Sequence, residues 1–176
     1  TENDDVIDGY GGDDTITGLG GDDILIGGDG NDTISGGSGT NTIYGDAGDD
    51  TITSNGEGDI VDAGDGNNTI IIGSDANGGE FTSGDGNDSY VIEEGATGRF
   101  TITSGTGNDE YIINKFDGND RWDRGYVLIT SDPGTNGNKI LDLKDGASLG
   151  HPNVGGTIFQ SGSGDDVITT RINSST

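Results

Sequence analysis

The chain has 176 residues, with 37 Gly, no Cys and a single His, and its formal charge of -26 reflects 33 Asp and Glu against seven Lys and Arg. Disulfides and thiolate metal sites are excluded, zinc is disfavoured, and an oxygen-seeking cation suits the composition. The acidity argues against nucleic acid and anionic membranes as partners, and no apolar run approaches the roughly 18 residues of a membrane helix.

Hydrophobic residues make up only 27% of the chain. That little apolar surface alone would leave it disordered. Two regularities oppose this. Isoleucine recurs at a fixed interval, and the acids fall at one phase of that interval. A chain that folds when cations neutralise its acids satisfies both. The charge is also uneven: residues 1–98 hold 23 of the acids and no Lys or Arg.

From the N-terminus the sequence falls into nines of the form Gly-x-x-Gly-(Asn/Asp)-Asp-x-Ile-x. Residues 9–17 read GYGGDDTIT, 18–26 GLGGDDILI, 27–35 GGDGNDTIS, 36–44 GGSGTNTIY and 45–53 GDAGDDTIT. SNGEGDIVD (54–62) and AGDGNNTII (63–71) follow. Positions one to six carry the residues that tolerate left-handed backbone and tight turns. Positions seven to nine predict a very short strand with one side chain inward, as in Thr15-Ile16-Thr17. Three residues cannot bury a face alone. Stacked copies bury a ladder of Ile7, Ile16, Leu25, Ile34, Ile43, Ile52, Val61 and Ile70. Two nines form one 18-residue coil with a strand on each side and a turn at each end.

After residue 71 the nine-residue phase breaks, but turn hexamers persist at 63, 83, 104, 131 and 161. Coils lengthen from 18 to 20, 21, 27 and 30 residues. Strands are predicted at 89–92, 110–113, 139–143 and 167–170, with return strands at 80–82, 99–103, 126–130 and 157–160. Two stacks of turns follow. Stack A carries Asp14, Asp32, Asp50, Asn68, Asp88, Asp109, Asn136 and Asp166 at position six. Stack B carries Asp5, Asp23, Asn41 and Asp59 and then loses the motif. The prediction is an all-β, right-handed parallel β-roll. It is two-sided over 1–71, and over 72–176 it keeps one turn stack with longer insertions opposite. Eight coils at roughly 4.8 Å spacing make a rod about 40 Å long.

These nonapeptides resemble the repeats-in-toxin, or haemolysin-type, calcium-binding family. The resemblance is close over residues 3–71 and continues with insertions to about 169. It implies calcium held between stacked turns, on the order of six to ten ions. It also implies the ligands: carbonyls of positions two and four with the Asp of one turn, and carbonyls of positions one and three with the Asp of the next. For 27–32 and 45–50 these are Gly28, Gly30 and Asp32, then Gly45, Ala47 and Asp50. Along the stack the same positions add Gly48, Gly64, Gly66, Gly84, Gly86, Gly105, Gly107, Gly162 and Gly164. Asn41, Asn68 and Asn136 are neutral, so weaker sites are expected there, and 117–120 reads as a degenerate turn ending in Asp120. The acids and amides at positions three and five (Asp29, Asn31, Asp49, Asn87) are either ligands or solvated turn residues. Family members are typically exported by type I secretion and fold outside the cell. The chain is therefore expected to be a secreted or cell-surface segment of a longer protein.

Three features carry alternatives. The Thr pairs at positions seven and nine suit an exposed strand, or else an ice-binding face of an adhesin. The insertion 114–126 places Arg121, Trp122, Arg124 and Tyr126 together. It either covers the side bared where stack B ends, or binds a polysaccharide or cell-surface partner, as in an accessory to an alginate-modifying enzyme. His151 stands in a Gly-rich loop without an organised base or nucleophile, so no catalytic residue is assigned.

Overall fold

The computed structural model describes residues 2–114, 126–131, 140–143, 157–160 and 167–170. Every regular element among them is a β-strand. The first half holds β1 (Val6–Asp8), β2 (Thr15–Thr17), β3 (Ile24–Asp29), β4 (Thr33–Ser35), β5 (Thr42–Ala47), β6 (Thr51–Ser54), β7 (Glu57–Asp62) and β8 (Thr69–Ile72). The second half holds β9 (Asn77–Thr82), β10 (Ser89–Ile92), β11 (Thr97–Ser104), β12 (Glu110–Ile113), β13 (Tyr126–Ser131), β14 (Ile140–Leu143), β15 (Thr157–Gln160) and β16 (Val167–Thr170). Odd strands form one eight-stranded parallel sheet and even strands another. Each strand pairs with the one two places on, so the chain is a parallel β-solenoid.

The register follows the repeat. Ile7 lies beside Leu25, and Leu25 beside Ile43; Ile16, Ile34 and Ile52 line up in the other sheet. Burial alternates along strands such as β2 and β6, so that position eight points inward and its neighbours outward, as strand geometry requires. The ladder from Ile16 to Ile70 is buried throughout, while Ile7, at the open end, is only partly covered.

Several elements exceed the predicted three residues. β3 and β5 run for six residues because positions one to three of the following turn continue the pairing, as in Gly28 beside Asp46. β9 and β11 begin earlier than predicted, at Asn77 and Thr97. Both sheets continue past residue 72, where β7 pairs with β9 and β8 with β10. In this region the core gains a second inward row, Ile72, Ile92 and Ile113. Aromatic rings enlarge it: Phe81 and Phe100 meet at 6.2 Å between ring centres, and Tyr90 stacks on Tyr111 at 5.4 Å. Opposite the surviving turn stack, plain tight turns close the coils. Ala76 N–H donates to the Gly73 carbonyl and Ala96 N–H to the Glu93 carbonyl, with both Ala side chains buried. Gly79, not an acid, lies beside Asp59 in the next coil. No helix among the described residues is long and apolar enough to cross a membrane.

Candidate calcium-binding turns

The turns are shaped by left-handed backbone at positions two and four. Gly28 and Gly30 have φ of 107° and 133°, and Gly64 and Gly66 have 76° and 126°. Position two accepts this conformation even without glycine, at Tyr10, Leu19 and Asp46. In stack A position four is always Gly among the described turns, and there a second constraint applies. A Cβ on Gly30, Gly48, Gly66 or Gly86 would strike the carbonyl of the same position one coil earlier. The turns are stacked too closely for any side chain at that point.

Position six forms the inner ladder. Its Oδ1 accepts the backbone N–H of position six one coil earlier: Asp14 N–H to Asp32 at 2.7 Å, Asp32 N–H to Asp50 at 2.8 Å, Asp50 N–H to Asn68 at 2.9 Å and Asn68 N–H to Asp88 at 2.8 Å. Stack B repeats it, with Asp5 N–H to Asp23, Asp23 N–H to Asn41 and Asn41 N–H to Asp59. One carboxylate oxygen of Asp23, Asp32, Asp50, Asp59 and Asp88 is thereby used. Oδ2 is buried with no partner at Asp14, Asp23, Asp32 and Asp50. An unsatisfied buried polar group costs about 1–3 kcal/mol, and more when charged.

Those orphaned oxygens converge on backbone carbonyls. A Cβ built on Gly27 would touch both Asp32 Oδ2 and the Gly45 carbonyl; one on Gly45 would touch Asp50 Oδ2 and the Ala63 carbonyl. Gly9 stands in the same way to Asp14 Oδ2 and the Gly27 carbonyl, and Gly18 to Asp23 Oδ2 and the Gly36 carbonyl. Bringing a carboxylate and a carbonyl oxygen together without a donor is unfavourable unless a cation lies between them. Burial raises the Asp50 carboxyl above its ordinary value; the Asp32 N–H opposes the shift, and repulsion from Asp32, Asp46 and Asp49 adds to it.

Asn68 shows what the space wants. Its Oδ1 is committed to the Asp50 N–H, so its Nδ2 is the end that faces the turn. There it donates to the carbonyls of Gly64 at 3.0 Å and Gly66 at 3.3 Å. A donor with partial positive charge occupies the ground that the sixth-position oxygen faces in the Asp turns. In this turn the carbonyls of positions two and four point at the sixth side chain. Asn41 lacks this resolution, and its Nδ2 is buried without a partner.

Position five forms an outer ladder of opposite sense. Asn31 N–H donates to Asp13 Oδ1, Asp49 N–H to Asn31 Oδ1, Asn67 N–H to Asp49 Oδ1 and Asn87 N–H to Asn67 Oδ1. These side chains are exposed and cap the next coil's backbone. Position-three carbonyls also serve the ladder: the Ala47 carbonyl accepts the Gly30 N–H at 2.9 Å and the Asp29 carbonyl the Gly12 N–H at 2.7 Å.

Asp59 and Asp88 sit at position six like the others but are fully engaged. Asp59 Oδ2 accepts the Ser54 hydroxyl and the Gly56 N–H, and Asp88 Oδ2 accepts the Ser83 hydroxyl. The repeat phase put these two carboxylates at position six and read them as calcium ligands, without anticipating their Ser partners. The signal was present, since position one is Ser in both turns. Asp109 continues the ladder, accepting the Asp88 N–H at 3.1 Å. Asp120, Arg121, Trp122, Arg124, Asn136, His151, Gly162, Gly164 and Asp166 lie outside the described residues, and Tyr126 begins β13.

Among the described residues no three His, Cys, Asp or Glu side chains gather as a metal cluster. The donor set is one carboxylate per turn with backbone carbonyls around it. The model of the RTX calcium-binding nonapeptide repeat matches residues 1–34 and 35–70, in four copies. This stretch is made of RTX repeats. Calcium is accordingly the cation that the RTX turns take, and all-oxygen donors of this kind suit it. No curated protein matches the chain significantly.

Proposed function

We propose that this RTX solenoid is a calcium-folded, non-catalytic structural module of a larger secreted or cell-surface protein. The supporting observation is the row of buried, unpartnered carboxylate oxygens at Asp14, Asp23, Asp32 and Asp50. Each is paid for by nothing in the chain itself, and each faces carbonyl oxygens. Calcium supplies the missing positive charge when bound. The chain's own residues do the rest: Gly at positions one and four lets turns approach, position-six Oδ1 groups tie coil to coil, and the Ile ladder fills the interior. A solenoid whose coils contact only their neighbours then folds where calcium is abundant.

The Thr rows support no separate reading. Thr15, Thr33, Thr51 and Thr69 align in one row, which passes to Ser89 and Glu110. Four residues of Thr suit an exposed strand. The test of the proposal is circular dichroism of the whole chain, first in chelator and then with titrated calcium. Conversion of coil to β-structure is expected, and full β-structure in chelator would overturn it.

A further inference from the structure

We infer that the residue at position one decides which turns take calcium: Gly leaves the sixth-position carboxylate open to the ion, and Ser closes it with a hydroxyl. This rests on the calcium reading above and adds an assignment of individual turns to it.

The four turns with an orphaned Oδ2 all begin with Gly: Gly9 with Asp14, Gly18 with Asp23, Gly27 with Asp32 and Gly45 with Asp50. In two of the turns where Ser precedes Asp, those of Asp59 and Asp88, the same oxygen has a Ser donor. Ser54 Oγ donates to Asp59 Oδ2 at 2.5 Å, and Gly56 N–H adds a bond at 3.1 Å. Ser83 Oγ donates to Asp88 Oδ2 at 2.6 Å. The geometry explains the choice. A Cβ at position one points at the sixth-position carboxylate, as the contacts of Gly27 and Gly45 show. A Ser there sets its hydroxyl against the oxygen and takes up the space beside the carbonyls.

In the second half the closure is built into the core. Tyr90 replaces Ile at position eight, and its phenol donates to Ser83 Oγ at 2.8 Å, which in turn donates to Asp88. The hydroxyl pair recurs one coil on, where Ser104 Oγ and Tyr111 Oη are 2.6 Å apart. The two rings stack at 5.4 Å, so the substitutions at positions one and eight act together. Asp88 then has both oxygens satisfied, Oδ1 by the Asn68 N–H and Oδ2 by Ser83. A carboxylate so satisfied gains little from an ion that would have to displace the hydroxyl. Between the two classes stands the Ala63 turn, where the amide of Asn68 is the donor. Among the described turns, calcium is therefore assigned to those of Asp14, Asp23, Asp32 and Asp50, while at Asp59, Asn68 and Asp88 protein donors take the place of the ion.

Crystals of the whole chain grown in calcium decide the matter by anomalous scattering. Peaks are expected about 2.3–2.6 Å from Oδ2 of Asp14, Asp23, Asp32 and Asp50, and none beside Oδ2 of Asp59 or Asp88. A peak at either of the last two overturns the position-one rule while leaving the calcium reading intact. A calcium-saturated crystal with no peak at any turn overturns both. Equilibrium dialysis supplies a second measurement in solution. Asp32→Asn should lower the number of bound ions by at least one, while Asp59→Asn and Asp88→Asn should leave it unchanged. Loss of an ion in Asp59→Asn or Asp88→Asn, in a variant that still shows β-structure, overturns the inference.

Discussion

Asp32 accepts the backbone N–H of Asp14 through Oδ1 at 2.7 Å and leaves Oδ2 buried with no partner. Each half of the carboxylate has its own consequence. The first oxygen fixes the spacing and register of adjacent coils without any metal. The second creates a demand for positive charge that the chain does not meet. The same residue thus ties the coil spacing to an unmet demand for positive charge.

Replacing that carboxylate should weaken calcium-coupled folding much more than replacing an acid outside the turn phase. On the proposed reading, Asp32→Ala and Asp50→Ala each remove a charged calcium ligand, and each removes an acceptor for a neighbour's N–H. Charge-assisted bonds of this kind contribute roughly 1.5–3 kcal/mol. The calcium midpoint for β-structure should therefore rise about tenfold or more. Asp75→Ala, at an exposed tight turn on the other side, should move it less than about twofold. Calcium titration followed by circular dichroism checks all three. Equal shifts for Asp32 and Asp75 would mean that only net charge matters.

Calcium removal should dissolve the first half of the solenoid before the second. Four orphaned carboxylate oxygens at about 1–3 kcal/mol each are comparable with the whole stability of a small domain. The turns of Asp59 and Asp88 carry no such debit. Coils that contact only their neighbours can separate in this way. Hydrogen exchange in chelator should show amide protection lost around Ile34 and Ile52 and retained longer around Ile92 and Ile113. Uniform exchange along the rod would show that the halves unfold as one unit.

The period of nine carried most of the first half. Positions of Gly, Asp and Ile are separately diagnostic there, and each lies where the pattern puts it: the Ile ladder inward, the sixth-position ladder beneath it. Beyond residue 71 the pattern weakens because one side of each coil no longer carries the Gly/Asp turn. Ala76 and Ala96 then close the coil, and small apolar residues in a Gly-rich loop carry no periodic signal. Strand lengths were also underestimated, since Gly28 and Asp29 pair in the sheet although their residue types mark a turn. The role of position five was left open by composition. In stack A it is Asp or Asn, like position six, and the opposite hydrogen-bond directions separate its exposed cap from the buried ladder.

Close stacking at position four predicts a matched pair of substitutions. Gly12 and Gly30 both have left-handed φ, 109° and 133°. A Cβ on Gly12 meets nothing within 4 Å, whereas one on Gly30 strikes the Gly12 carbonyl. Both Ala variants bear the backbone cost of about 1 kcal/mol. Gly30→Ala must in addition push two coils apart, so its loss should exceed that of Gly12→Ala by about 1–3 kcal/mol. Thermal unfolding at saturating calcium measures the difference. Equal losses would show that the backbone conformation, not the approach of the coils, selects glycine.

Tyr90 predicts a loss of stability at alkaline pH. Burial raises its phenol well above the ordinary 10.0, with the bond to Ser83 opposing the shift and the Asp88 charge adding to it. A folded pKa above the unfolded one means that the folded state holds its proton after the unfolded chain has released it. The stabilisation is then complete below the unfolded pKa near 10 and is lost as pH rises through the folded one. Tyr90→Phe removes this dependence and also the donor to Ser83, at a cost of about 1–3 kcal/mol. At saturating calcium the variant should be less stable than the parent at neutral pH, and its stability should fall less steeply above pH 10. Denaturant unfolding at a series of pH values reads both effects. An unchanged alkaline slope in Tyr90→Phe would show that this phenol is not the group that resists ionisation.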